Sequence, residues 1–346
     1  MRDWPMRSRK TFCRVCSAYC GIEVDIDDKE QIVAIRGDRD HPMSQGYTCS
    51  KGRLWGHQYH DPQRLLYSQQ RTRRAQDFST IDTEQALDEI AAKLQAIIHQ
   101  HGPRAVAIYR GNGLSVSSNG DQVAHAWITG LGSEMDFSSM TLDQPSKIIA
   151  VGRHGVWGGG AHGFAGADVC MLIGNNPLVS ALNMTGAPPG WYPGALKQER
   201  ARGMRLIVID PRRTETARQA DIHLAIKPGE DPTLLAGMIN LIIAEQRYDA
   251  EFVEQHTEGF AQLRQAVEAF TLDYVANRTG LAQSDIADAA RLFANSKRGT
   301  ASSGTGPDMA AMPHLAEHLI LALNTLCGRW NREGDAVSAP SLLTPD

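Results

Sequence analysis

Cys13-Arg14-Val15-Cys16-Ser17-Ala18-Tyr19-Cys20, joined further on by a lone Cys49, is the stretch from which the rest of this sequence is read. Three thiols in a C-x2-C-x3-C loop, with a fourth from a distant position, form the donor set of a [4Fe–4S] cube, which takes four cysteine thiolates. All-cysteine zinc sites more often pair two C-x2-C turns. Cys49 has no cysteine beside it, so the spacing favours iron–sulfur, with zinc as the competing reading. Disulfide frameworks belong mainly to short secreted chains, whereas this chain has 346 residues and 6 cysteines. Cys170 and Cys327 lie in apolar runs and are expected in the core.

Hydrophobic residues make up 42% of the chain and charged residues 21%, with a net charge of −4. That describes a globular protein of two or three domains with a sizeable core. No basic excess points to nucleic acid or an anionic membrane, and no apolar run reaches the length of a bilayer span. The basic start, Met1 to Lys10, is not followed by the apolar segment of a secretory signal. A reduced, cytoplasmic protein is expected.

Ile22 to Ile26 and Ile32 to Ile35 are short alternating or β-branched runs around the polar turn Asp27-Asp28-Lys29-Glu30. They predict a hairpin that returns Cys49 towards the other three cysteines. Asp61-Pro62 marks a boundary. Beyond it, Asp82 as cap, Gln85 in the capping-box position and a Gly102-Pro103 stop predict a helix. Leu87, Ile90, Leu94, Ile97 and Ile98 fall on one face of it, and Val106 to Tyr109 reads as a buried strand ending at Gly111-Asn112-Gly113.

The pattern recurs later. Asp168 to Ile173 runs into Gly174-Asn175-Asn176-Pro177, and Leu206 to Ile209 into Asp210-Pro211-Arg212-Arg213-Thr214. Asp221 to Ile226 runs into Lys227-Pro228-Gly229-Glu230-Asp231-Pro232, where Asp231 is expected to cap an apolar helix. Three strands that each deliver a polar loop at the carboxyl end imply an open parallel sheet, whose ligands bind at that edge. The last third reads as helical over roughly 249–257, 260–270, 284–297 and 313–327, with a glycine-rich segment at 302–307.

No G-x-G-x-x-G follows a strand and no G-x4-G-K-[ST] occurs, so neither a nicotinamide fingerprint nor a P-loop is present. The loops suit a nucleotide diphosphate instead. Asn175 and Asn176 offer amide donors, Arg212 and Arg213 can meet phosphate, and Asp210 or Asp231 can accept guanine N–H groups.

Joined in one chain, several motifs resemble the first half of the molybdopterin (bis-guanine-dinucleotide) oxidoreductases. That superfamily includes formate dehydrogenases, nitrate reductases and thiosulfate or polysulfide reductases. The motifs are the cysteine box, Lys51-Gly52-Arg53, Asp61-Pro62-x-Arg64-Leu65, Gly174 to Pro177, Asp210-Pro211-Arg212 with Thr214, and Pro228-Gly229-x-Asp231. The resemblance implies an α/β fold with a small β-rich [4Fe–4S] domain at 1–65. A partial α/β domain at 66–145 follows, completed in the family by a C-terminal half, then a Rossmann-like dinucleotide domain at 146–335 and a tail at 336–346. It implies that Cys13, Cys16, Cys20 and Cys49 hold the cluster and that Lys51 lies between cluster and pterin. One molybdopterin guanine dinucleotide arm, carrying molybdenum or tungsten, would rest on Gly174, Asn175, Asn176, Pro177, Asp210, Pro211, Arg212, Thr214, Gly229 and Asp231.

Two departures bear on the activity. Where relatives supply a cysteine, selenocysteine, serine or aspartate to the metal, the stretch Ser138 to Pro145 has no cysteine. Asp143 is the candidate ligand, a hard oxygen donor; Ser139, Thr141 and no protein ligand are the alternatives. His154 and His162 are nearby candidates for proton transfer. Family members are also about twice this length. The expectation is therefore a fragment or half of a split enzyme, which assembles the cluster and holds the pterin weakly alone. It would act with a small-molecule substrate, an electron-transfer protein and a second polypeptide supplying the remaining half, without nucleic acid or membrane insertion. The alternative is a non-catalytic [4Fe–4S] electron-transfer subunit or an inactive fragment of the same fold.

Overall fold

The computed structural model describes residues 7–16, 18–74, 77–111, 113, 117–157, 159–180 and 192–335. Asn112, Gly158 and the tail 336–346 lie outside the described residues, as does the side chain of Thr141. The chain forms two compact units, one ending at Leu142 and the other beginning at Asp143.

In the first unit β1 (Arg7–Phe12), β2 (Gly21–Ile26) and β3 (Ile32–Gly37) make an antiparallel sheet in that order. The β2–β3 hairpin turns on Asp27, whose carboxylate accepts from the Lys29 and Gln31 backbone N–H groups. β1 carries no periodic signal, because all its side chains are exposed and several are basic; pairing with β2 places it. Short helices α1 (Ser50–Arg53) and α2 (Trp55–Tyr59) follow, then the two-residue strands β4 (Gln69–Gln70) and β5 (Ser79–Thr80).

Helix α3 (Thr83–His101) starts as its sequence dictates, with Asp82 accepting from Glu84 N at 2.9 Å and Gln85 N at 3.3 Å. Gln85 reaches Glu89 instead of the cap residue, so the capping box stays half made. The apolar positions Leu87, Ile90 and Ile97 face outwards, and none of the helix is buried. Strand β6 (Ile108–Arg110) pairs in parallel with β7 (Asp136–Ser138) across α4 (Ser118–Gly130). The expected buried strand is thus shorter and only half covered: Val106 is buried, but Tyr109 is exposed.

Helix α5 (Met140–Asp143) leads into the second unit, which opens with α6 (Pro145–His154). Its sheet holds β8 (Val169–Ile173), β9 (Arg205–Ile209), β10 (Ile222–Leu224) and β11 (Gly299–Ser303), in the order β10-β9-β8-β11, all parallel. Between β8 and β9 run α7 (Pro177–Ser180) and α8 (Tyr192–Arg202). Every residue of β8 is buried, as suits a strand covered on both faces. One face packs against α9 (Asp231–Ala244), α13 (Gln283–Asn295) and α14 (Pro313–Leu326) through Ile207, Leu235, Ile239, Phe293 and Leu323. Helices α10 (Ala250–His256), α11 (Phe260–Val267) and α12 (Leu272–Thr279) surround this core. Asp231 is the first residue of α9 and not its cap, which is Glu230.

Two polar devices close the unit. Asn324 on α14 brackets Ala301 of β11, accepting from its N–H at 2.9 Å and donating to its carbonyl at 2.8 Å. Arg329 is 1% exposed and donates to the carbonyls of Phe293, Ser296 and Lys297, thereby satisfying the C-terminal end of α13. Arg329→Met would strand those carbonyls, so it is expected to cost about 3 kcal/mol. The loss should appear as a lower urea midpoint for the second unit, with Arg329→Lys intermediate.

Candidate functional site

The C-x2-C-x3-C loop is the connection between β1 and β2, which pair Phe12 with Gly21 at its base. Cys13 N donates to the Cys20 carbonyl at 2.8 Å, closing the neck, and Tyr19 takes a positive φ of 46° to turn the chain into Cys20. The loop after β3 returns to the same place. Asp38 N donates to the Gly21 carbonyl at 3.0 Å, and Gly21 N donates to Ser44 Oγ at 3.0 Å. Cys49 then sits at the N-terminal end of α1.

The four thiols lie within electrostatic reach of one another. Burial, reinforced by Cys13, Cys16 and Cys49, pushes the Cys20 thiol up to about 11. Burial also raises Cys13, with Cys16 and Cys49 adding to the rise and Lys51 opposing it. Among the described residues no three His, Cys, Asp or Glu side chains stand in the geometry of a single-ion site.

The surroundings fit a sulfur-ligated group. A Cβ on Gly52 would collide with Thr48 Oγ1 and lie 3.3 Å from Cys13 Sγ, and that Thr48 hydroxyl is buried without a partner among the described residues. Lys51 is exposed on α1, one residue from this contact. A cleft of about 650 Å³, lined by Phe12, Arg14, Tyr19, His41, Met43 and Asn119 among others, opens beside the loop.

In the second unit the carboxyl edge of the sheet gathers Gly174 to Pro177 after β8, Asp210 to Thr214 after β9, and Gly229 to Asp231 between β10 and α9. Burial raises the Asp231 carboxyl above the usual carboxylate range, and the Asp210 and Glu230 charges add to the rise. Thr214 is buried, its Oγ1 accepting from Ala217 N at 3.0 Å. Pro211 and Arg212 are exposed at the rim.

Asn175 is buried, whereas Asn176 is a tie between loops. Its Nδ2 donates to Glu215 at 2.8 Å, and its Oδ1 accepts from the Thr216 hydroxyl at 2.7 Å. Asp143 is half-buried at the end of α5, and the residue capping the next helix is Gln144.

Sequence reasoning missed the fourth strand, β11, and its loop Gly304 to Asp308. With the order β10-β9-β8-β11, the strand order reverses at β8, which has β9 on one side and β11 on the other, and ligands of open parallel sheets bind at such a switch point. There the backbones nearly touch. A Cβ on Gly304 would overlap the Gly174 carbonyl, and Gly174, at φ +55°, would drive a Cβ into Pro307. The usable signal in the sequence was G-x-G at 304–306.

Two family models match the chain: Molybdopterin oxidoreductase over residues 51–338, and Molybdopterin oxidoreductase Fe4S4 domain over residues 6–60. The chain is similar to the thiosulfate reductase molybdopterin-containing subunit PhsA of Salmonella typhimurium, with 30% identity over 94% of this chain and 41% of that protein. It is 31% identical to acetylene hydratase of Syntrophotalea acetylenica, over 97% of this chain and 45% of that protein. Against formate dehydrogenase H of Escherichia coli the figures are 30%, 87% and 42%. The solved structure of acetylene hydratase from Pelobacter acetylenicus matches with a TM-score of 0.79 at 28% identity, covering 96% of this chain and 45% of that one. The chain therefore spans less than half the length of these relatives.

The two flagged histidines are held neutral. Burial, with His318 beside it, pushes His154 down to about 4. Burial, with Arg298 and Arg329, pushes His162 down to about 4, and Gly299 N donates to its Nδ1 at 3.4 Å. Both folded values lie below the unfolded one, so the unfolded chain takes up the protons. Their stability contribution is full above about pH 6.5 and is lost as pH falls towards 4. Lowering pH from 7 to 5 is expected to remove about 2 kcal/mol through His162. Urea titrations at both pH values check this, and His162→Asn should flatten the difference.

Proposed function

The chain belongs to the molybdopterin oxidoreductase family and carries that family's Fe4S4 domain; on this premise we propose that it is the cluster- and nucleotide-binding portion of a redox enzyme. The cofactors of these two domains are a [4Fe–4S] cluster and molybdopterin. In the proposed reading the pterin would be a bis(guanine dinucleotide) bearing molybdenum or tungsten, and the cluster would supply or take up its electrons. The observation that carries this is Cys13 Sγ against the Gly52 position, with Cys13, Cys16 and Cys49 within electrostatic reach of Cys20, in a chain that also has a glycine-walled crevice at its parallel sheet. We divide the chain into a cluster domain at 1–65, a partial α/β domain at 66–145 and a dinucleotide domain at 146–335.

The metal–pterin centre supplies the substrate chemistry when bound, and the protein orients and tunes it. The four cysteines hold the cluster as thiolates, and the Lys51 charge, already felt at Cys13, offsets part of their negative charge. Asp210 and Asp231 present acceptors for guanine N–H donors. Gly174, Gly229, Asn175, Pro177, Pro211 and Thr214 shape the phosphate path, with Arg212 at its rim. Asn176 holds the β8 and β9 loops together. Asp143 is our candidate protein ligand to the metal, on the hardness of its oxygen.

The names of the relatives span thiosulfate and nitrate reduction, formate oxidation and acetylene hydration. Formate dehydrogenase- or nitrate reductase-like chemistry on a small-molecule substrate is the reading we adopt, with an electron-transfer protein as partner. A reducing, cytoplasmic setting is part of the same reading. No helix among the described residues is long and apolar enough to cross a membrane. The outward apolar row of α3, with exposed Leu65, Leu66, Tyr67 and Phe78, supports a further polypeptide covering the first unit. A chain that serves only as an electron carrier would bind the cluster and no pterin.

Anaerobic reconstitution is expected to give a brown protein with about four iron and four sulfide per chain. Cys49→Ser should lose most of both, and a colourless protein with one zinc would defeat the reading. Lys51→Ala should lower the cluster midpoint potential by roughly 30 mV, because a nearby cation favours the reduced cluster. An EPR-monitored redox titration measures the shift, and Lys51→Arg should restore the potential.

A further inference from the structure

Backbone packing is not the only thing that fixes the Gly304 to Asp308 loop. Lys147, in the first turn of α6, donates to the Gly304 carbonyl at 2.9 Å, pairs with Asp308 and lies 3.4 Å from Glu317 on α14. The Ser303 hydroxyl, at the end of β11, donates to Glu317. Asp308 and Glu317 are each 5% exposed, and the second Asp308 oxygen is buried without a partner among the described residues. Among the described residues Lys147 is the cation in salt-bridge range of either carboxylate. Burial raises Glu317, which Lys147 and Ser303 counteract.

Buried carboxylates are strongly unfavourable without a counter-charge. An ammonium has three donors to distribute, and here they join α6 to the loop after β11 and to α14, two neighbouring segments that lie far from α6 in sequence. The loop so tied is the one that faces Gly174 across the strand reversal.

We propose that Lys147 is a positioning residue for the crevice between β8 and β11. Its ammonium clamps Gly304 to Asp308 against the β8 loop, so the nucleotide-binding shape of this edge exists before a ligand arrives. The clamp itself touches no nucleotide. Its relevance to binding rests on the guanine-dinucleotide reading given above. Removing the clamp would let the loop open locally, and ordering it again would be charged against ligand affinity.

The test uses the full chain as wild type, Lys147→Met, Lys147→Arg, and the double variant Lys147→Met/Asp308→Asn. The double variant leaves Glu317 with its Ser303 partner and no counter-charge problem at Asp308. Amide hydrogen exchange and guanosine diphosphate affinity are measured for each. In Lys147→Met, amides of residues 304–309 should exchange about tenfold faster or more, while β8 and β9 stay protected. Affinity for guanosine diphosphate should fall about tenfold, with Lys147→Arg restoring both. If Lys147→Met fails to fold, the double variant decides. Wild-type protection at 304–309 in either folded variant overturns the proposal, and so does a double variant that loses protection throughout the unit. Failure of the wild-type chain to bind guanosine diphosphate would defeat the dinucleotide reading alone, because exchange at 304–309 reports on the clamp without ligand.

Discussion

The close approach of two backbones, Gly174 after β8 and Gly304 after β11, is the constraint on which the second unit turns. Parallel pairing of the two strands brings their carboxyl ends together, and the contact is so tight that neither position has room for a methyl group. Everything else at that edge accommodates this fact. Pro307 packs over Gly174, Lys147 grips the Gly304 carbonyl, and Asn176 draws the β9 loop in from the other side. In the proposed reading a polyanionic ligand would meet main-chain groups there directly, as phosphates do in glycine-walled crevices.

What the sequence disclosed and what it concealed follow from the same physics. The Fe4S4 domain was legible because such clusters draw on cysteine thiolates at recognisable spacings. β8, β9 and α9 were legible because a sheet covered on both faces needs continuous bulky apolar runs. β11 was hidden because Gly299-Thr300-Ala301-Ser302-Ser303 is small and polar; it is placed by pairing and by Asn324, not by hydrophobic driving force. Lys147 was hidden because its partners, Asp308 and Glu317, lie far along the chain, and no local pattern records such a pairing. Asn176 looked like a phosphate donor by type, yet its amide is engaged by Glu215 and Thr216. The strand expected from Val106 was overestimated in burial because composition reports hydrophobicity without reporting what lies opposite.

The two units differ in what stabilises them. The second has a continuous apolar core, running from β8 through α9 to α14. The first relies on a small three-stranded sheet and leaves the apolar row of α3 in solvent. For such a unit, ligation of four thiolates by a metal cluster is also folding free energy, since no preformed site exists in the unfolded chain. Loss of the cluster would therefore be felt first by the loop between β1 and β2, and by the segment that returns Cys49 to it.

The Asn324 bracket has a kinetic consequence. Its amide occupies the Ala301 N–H and carbonyl, so it substitutes for a neighbouring strand and holds β11 from the side of α14. A nascent chain can fold β8, β9 and β10 as they leave the ribosome, but the strand that completes the crevice must wait for a residue more than twenty positions downstream of itself. Completion of this edge is thus held back until Asn324 and the helix that carries it have been translated.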